Sequence, residues 1–159
     1  MSQAELTLRP MTPAEIDEWL PRQVAGHAAL ITASGALPPR AAREKAERDT
    51  AAYFSTGAAA AGQLAFRIMA GQVGVGWLWL SVPGPGPDRL MAWIFEIEIE
   101  APFRGCGYGR AAMRLAENEA RARGMTSLGL NVHGQNVIAR SLYESLGYEV
   151  MALQMKKLV

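Results

Sequence analysis

Phe95-Glu96-Ile97-Glu98-Ile99-Glu100-Ala101-Pro102-Phe103-Arg104-Gly105-Cys106-Gly107-Tyr108-Gly109-Arg110 decides the fold of this chain. Its first half alternates charged and apolar residues with a period of two, the pattern of a strand with unlike faces. Its second half sets glycines at alternate positions directly ahead of a helical pattern. Absence of Cβ atoms there lets several backbone N–H groups converge, and the helix adds its positive dipole end and its unpaired donors. The stretch reads as a cradle for a pyrophosphate. A tight strand-to-helix turn with no ligand is the other reading.

Other phosphate sites fail on spacing. No Gly-x-x-x-x-Gly-Lys-Ser/Thr occurs, so a Walker-type site would lack its lysine and its magnesium-holding hydroxyl. Gly105, Gly107 and Gly109 give Gly-x-Gly-x-Gly where a dinucleotide fingerprint needs Gly-x-Gly-x-x-Gly, and position 110 is arginine.

Working outward, Leu90 to Glu100 is the strand and Arg110 to Arg123 the helix, closed by Gly124. Ser127 to His133 is predicted as a further strand, Asn136 to Leu146 as a helix capped by Gly147, and Tyr148 to Lys156 as a last strand. Upstream, Leu6 to Pro10 alternates like a strand. Thr12-Pro13-Ala14-Glu15 then supplies an N-cap, a proline in the first turn and a capping-box glutamate for a helix running past Pro21 to about Ala33. A second helix follows Pro38-Pro39 to about Phe54, and Ser55 to Gly62 reads as linker. Leu64 to Ala70 and Gln72 to Val82 form a hairpin turning at Gly71, and Pro83 to Asp88 is a loop unable to hold sheet hydrogen bonds. The order β-α-α-β-β-β-α-β-α-β predicts an α+β fold on a mixed sheet.

Composition narrows the function. With 159 residues, 50% hydrophobic and 19% charged, the chain is expected to form one domain over residues 1–159. A net charge of +1, with scattered basic residues, argues against nucleic acid as a partner. Cys106 is the sole cysteine, which rules out an internal disulfide and a cysteine metal cluster and suits a reducing compartment. Met1 to Glu5 shows no basic region leading into an apolar core, and the apolar stretch Gly71 to Val82 is shorter than the ~20 residues of a membrane helix. A cytoplasmic protein without a membrane partner is expected.

On the strand, Glu96, Glu98 and Glu100 share one face while Trp93, Phe95, Ile97 and Ile99 share the other. A strand feeding a crossover helix should be central, where carboxylates imply a wet cleft, although an edge strand with one solvated face would also read this way. The run Phe95 to Gly109 resembles motif A of the GNAT superfamily of acyl-CoA-dependent N-acyltransferases, with its Arg/Gln-x-x-Gly-x-Gly/Ala core. Leu130-Asn131-Val132-His133 and Asn136-Val137-Ile138-Ala139-Arg140-Ser141-Leu142-Tyr143-Glu144-Ser145-Leu146-Gly147-Tyr148 resemble its motif B. The order of strands and helices is similar to that fold from end to end. Residues 11 to 62 carry no diagnostic motif.

The resemblance implies a GNAT-like sheet, mostly antiparallel, flanked by helices, with a central strand pair splayed by a bulge. It implies acetyl-CoA as co-substrate, no metal, a small-molecule or peptide amine as acceptor, and a homodimer as one form of assembly. Arg104, Gly105, Cys106, Gly107, Tyr108, Gly109 and Arg110 would wrap the pyrophosphate. The main chain of Ile97, Glu98 and Ile99 would pair with the pantetheine arm, Asn131 and Asn136 would lie along it, and Tyr143 would reach the sulfur. Transfer from a thioester to an amine needs a neutral nucleophile, a polarised carbonyl and a proton for the leaving thiolate. Glu96 or Glu98 could accept the amine proton, a backbone N–H on the bulge could hold the oxyanion, and Tyr143 could donate. Tyr143 as a plain core aromatic is the alternative, beside Ile138, Leu142 and Leu146.

Cys106 has no histidine near it in sequence and is expected to be a bystander. His27 and His133 are too isolated for a metal site. Trp77 and Trp79 share a strand face and are expected to pack under a helix, with lining of the acceptor pocket as the alternative. A regulatory acyl-CoA-binding module without turnover and an ordinary nucleotide-binding protein are the competing readings of the whole chain.

Overall fold

A computed structural model describes residues 5–55, 57–84, 86–87 and 89–159. Thr12 opens the first helix as its sequence predicts: the Glu15 amide donates to Thr12 Oγ1 at 3.2 Å, and the Thr12 amide donates to Glu15 Oε2 at 2.9 Å. This capping box starts α1 (Pro13–Ala33), which continues through Pro21. It follows β1 (Leu6–Pro10) and leads to α2 (Pro39–Ala51). Ala42, Ala46 and Thr50, spaced by four, form the buried stripe of α2, while Arg40–Glu44, Arg43–Glu47 and Lys45–Asp49 pair on its exposed side.

The stretch expected as linker holds a small hairpin instead, β2 (Phe54–Ser55) with β3 (Ala58–Ala59). Phe54 supplies the reason, since its side chain is buried against Trp19 and fixes the chain there. Next come β4 (Gln63–Ala70) and β5 (Val73–Ser81), turning at Gly71 with φ 60°. Of the loop expected at Pro83 to Asp88, Pro85 and Asp88 lie outside the described residues, and the others form no strand or helix. β6 (Met91–Ile99), α3 (Tyr108–Ala122), β7 (Ser127–Leu130) and α4 (Val137–Ser145) complete the regular elements.

The main sheet runs β1-β4-β5-β6-β7. All neighbours are antiparallel except β6 and β7, which are parallel and joined through α3. Ala112, Met113, Ala116 and Ala120 of α3 bury against Ile68, Leu78, Leu80, Ala92 and Ile94 on one face. Three alanines let the helix lie close to the sheet. On the opposite face, Ile16 and Trp19 of α1 and Phe54 bury against Ala65, Trp77 and Trp79. The chain is thus α+β, with a mostly antiparallel sheet between helices, and Trp77 and Trp79 do pack under a helix. Among the described residues no helix is long and apolar enough to cross a membrane.

The strand expected over Tyr148 to Lys156 does not form: residues 149–159 are exposed and in no regular element. A strand exists only against a partner, and the backbone here has none. β7 is likewise shorter than expected and stops at Leu130.

Candidate active site

β6 carries a break in register that organises everything around it. Trp79 pairs with Glu96, but the next residue of β5, Leu80, pairs with Ile94, so Phe95 is the extra residue of a bulge. The bulge corrects the simple alternation expected from sequence. Phe95 lies on the same side as Glu96, stacked on Trp79 at 4.6 Å between ring centroids, not opposite it. Trp93, whose strand partner is Ser81, joins this side as well.

Parallel pairing of β6 with β7 ends where the bulge begins. It covers Met91↔Ser127 to Ile94↔Leu130 and no more. From Phe95 to Ile99 the edge of β6 turned away from β5 is without a strand partner among the described residues, which is the splay expected of this pair. Gly76 lets β5 hold the other edge closely, since a Cβ there would meet the Glu98 carbonyl. One acceptor of the open edge is taken, as the Arg104 Nε donates to the Ile99 carbonyl at 2.7 Å.

The cradle follows a 3-10 turn at Ala101–Phe103. Gly105 and Gly107 have φ of 78° and 79°, in the left-handed region where a Cβ is strained, and Gly107 is the N-cap of α3. Among the described residues, no backbone N–H from residue 105 to residue 110 donates a hydrogen bond inside the protein. This fits an anion at the helix N-terminus. Gly109 also packs α3 on α4, since a Cβ there would lie 3.3 Å from Leu142 Cδ2. Arg110 Nη2 donates to Ser145 Oγ at 2.6 Å. Cys106 is exposed, and its Sγ donates to the Arg104 carbonyl at 3.6 Å.

The three glutamates of β6 meet three environments. Glu100 binds Arg67 at 2.6 Å, and Arg67 lies over the Trp77 ring at 3.8 Å, so this carboxylate is structural. Glu98 faces Arg104 at 3.3 Å. Glu96 is mostly buried, its Oε2 has no hydrogen-bond partner among the described residues, and its pKa is pushed up to about 7. Burial is the main cause and the Glu98 charge adds to it, while Arg22 and the Trp19 side chain, both from α1, pull the other way. A carboxyl that titrates near neutrality can take a proton and pass it on.

Around Glu96 lies an aromatic wall that the sequence did not reveal. Tyr53 contacts both Trp79 and Phe95, at 5.6 and 5.3 Å, and Phe54 and Trp19 continue the cluster behind them. Phe95 is exposed at the rim. Period-two patterning cannot place it there, because a bulge leaves no mark in hydropathy. Trp77 Nε1, on the same face, is a second buried polar atom without a partner.

Tyr143 lies on α4, packed at the edge of the core formed with α3. Burial raises its pKa, so the phenol stays protonated and able to donate. Asn136 is the N-cap of α4, its Oδ1 accepting from the Ala139 amide at 3.2 Å, which gives it a structural duty. Asn131 follows directly on the end of β7 and is exposed, as is His133. Among the described residues no cluster of three or more His, Cys, Asp or Glu side chains could hold a metal.

Known proteins resemble this chain in sequence and fold. The uncharacterized N-acetyltransferase YycN of Bacillus subtilis is 35% identical over 83 residues, and that alignment spans 52% of this chain and 53% of YycN, about half of each. The uncharacterized N-acetyltransferase YdgE of the same bacterium is 28% identical over 152 residues, 95% of this chain and 96% of YdgE. The crystal structure of YycN superposes with a TM-score of 0.89 at 25% identity, over 97% of this chain and 98% of that one. Residues 32–148 match the acetyltransferase (GNAT) family. With more than half of its residues inside that match, this chain belongs to the GNAT family and is an acyl-CoA-dependent acetyltransferase.

Proposed function

We propose that this protein moves an acetyl group from acetyl-CoA to a primary amine by direct transfer in a ternary complex, as one cytoplasmic N-acetyltransferase domain over residues 1–159. The observation that carries the mechanism is Glu96, a buried carboxyl with an unpartnered oxygen and a pKa of about 7, beside a bulge and an open strand edge. Acetyl-CoA supplies the activated acyl group. The free amides of residues 105–110 and the open edge at Ile97–Ile99 suit its pyrophosphate and its pantetheine.

In this reading Glu96 Oε2 accepts the proton of the incoming ammonium and leaves a neutral nucleophile. Glu98, held by Arg104, attracts the cation. A main-chain N–H at the bulge stabilises charge on the thioester oxygen, and the Tyr143 hydroxyl protonates the departing thiolate. The acceptor enters from the side of α1 and α2, where Tyr53, Phe95 and Trp79 form its wall. That wall favours an amine borne on an apolar or aromatic body, small molecule or peptide, over a polyhydroxylated one.

An amine panel that follows thiol release from acetyl-CoA tests the reading. Arylalkyl amines and peptides with apolar first residues should turn over best. Absence of turnover with every amine, alongside tight acetyl-CoA binding, would leave a catalytically silent acyl-CoA-binding module. Preference for sugar amines would overturn the assignment of the wall.

A further inference from the structure

Arg104 holds two places at once. Its Nε donates to the Ile99 carbonyl at 2.7 Å, and its Nη2 donates to Glu98 Oε1 at 3.3 Å. Residue 104 closes the 3-10 turn, with its amide on the Ala101 carbonyl at 3.3 Å, and this keeps the side chain within reach of both. One guanidinium thereby joins an atom on the rim of the sheet to a carboxylate on its face. Its side chain is 59% exposed, so little packing fixes it in that position.

The direction of the Ile99 carbonyl follows from the neighbouring residue. The Glu100 amide donates to the Val75 carbonyl of β5 at 2.9 Å, and main-chain groups of successive strand residues point to opposite edges, so Ile97 and Ile99 present theirs to the open side. A chain added along that side brings an N–H nitrogen to about 2.9 Å from the carbonyl oxygen. Arg104 Nε stands in that place, so an added chain and the guanidinium compete for Ile99.

We propose that Arg104 is a latch between the two halves of the site: the pantetheine arm of acetyl-CoA displaces it from Ile99, and in the same movement it leaves Glu98, so that the co-substrate uncovers the carboxylate that draws in the amine. The proposal rests on the seat given above to the arm and on the part given there to Glu98. A destination for the guanidinium is at hand. Residues 105–110 follow directly, with backbone N–H groups free of internal partners, and an anion seated on them attracts a cation one residue away. Acetyl-CoA then binds first and the amine second. While latched, Glu98 offers an ammonium only a partly neutralised partner. By linkage the amine tightens the hold on the co-substrate by the same factor, and the partial exposure of the ion pair keeps that factor to roughly three- to tenfold.

Nuclear magnetic resonance titrations with pantetheine, which has the arm and no phosphate, and with coenzyme A test the latch. In the parent, pantetheine should shift the amides of residues 97–99 weakly. In Arg104→Ala it should bind at the same amides roughly three- to tenfold more tightly, because nothing then competes for the Ile99 carbonyl. Coenzyme A should gain less, because its pyrophosphate loses a cation. Glu98→Gln, which loosens the latch and leaves the cradle intact, should give a smaller gain with pantetheine. A residue that only held the pyrophosphate would leave pantetheine binding unchanged. Equal pantetheine affinity in parent and Arg104→Ala, with shifts at 97–99 in both, therefore overturns the latch while the seat of the arm stands. Absence of those shifts in every protein overturns the seat itself and the latch with it. In calorimetry, 2-phenylethylamine should bind the parent more tightly when coenzyme A is present and Arg104→Ala equally with and without it. Coupling that persists undiminished in Arg104→Ala overturns the release of Glu98.

Discussion

Replacing Glu96 with Gln removes an ionisable group from a buried place while keeping its size. The native carboxyl titrates near 7 against an ordinary value of 4.5, because burial and the charge of Glu98 oppose ionisation. At 1.36 kcal/mol per pH unit, that gap corresponds to about 3 kcal/mol. Its sign follows from the raised value: the folded protein holds this proton more tightly than the unfolded chain. Glu96 therefore supports the fold most fully below about pH 4.5, and that support is lost as pH rises through about 7. Gln carries no charge at any pH. Denaturant unfolding at pH 5 and pH 8 should show the variant gaining on the parent by about 2–3 kcal/mol between the two, with the larger advantage at pH 8. In parallel, kcat/KM for the best amine should fall, and its acidic limb near pH 7 should disappear. A stability difference equal at both pH values would refute the buried, unpartnered state of Glu96, and an unchanged pH–rate profile would refute its role as base.

Tyr143→Phe should keep fold and acetyl-CoA affinity while lowering turnover roughly ten- to a thousandfold; unchanged turnover with chemistry rate-limiting would make Tyr143 a packing residue. Gly105→Ala places a Cβ at φ 78° in open space, so it should cost about 1–2 kcal/mol of stability and weaken acetyl-CoA binding in calorimetry. Normal affinity would move the pyrophosphate elsewhere. Cys106→Ala should retain most activity, and intact-mass analysis after acetyl-CoA alone should show no acyl-enzyme; a stable acetyl adduct absent from the alanine variant would restore a two-step mechanism.

Local signals carried the fold where each residue's duty is local. Thr12 and Glu15 announce their capping box and Gly71 its turn. What escaped depends on partners distant in sequence. Phe95 turns to the Glu96 side only because Trp79 and Leu80 pair two residues apart on β6. Gly109 gives no sign in sequence of its second duty, the close contact with Leu142. Tyr148 to Lys156 has a strand's alternation, but strand formation needs an edge, and no sequence states where that edge lies. Glu96, Glu98 and Glu100 look equivalent in order, and Arg67, Arg104 and the burial of Glu96 tell them apart.

The first turn of α3 grips α4 at two places, Gly109 on Leu142 and Arg110 on Ser145, and Tyr143 stands between them. The proposed seat of the phosphates and the proposed proton donor are thus mounted on one stiff bracket. Grip on the nucleotide end of the donor can then be converted into alignment at the sulfur, more than ten bonds away along the arm. Short thioesters that carry the acetyl group without the nucleotide should consequently react slowly even at saturation, showing the deficit in kcat as well as in KM.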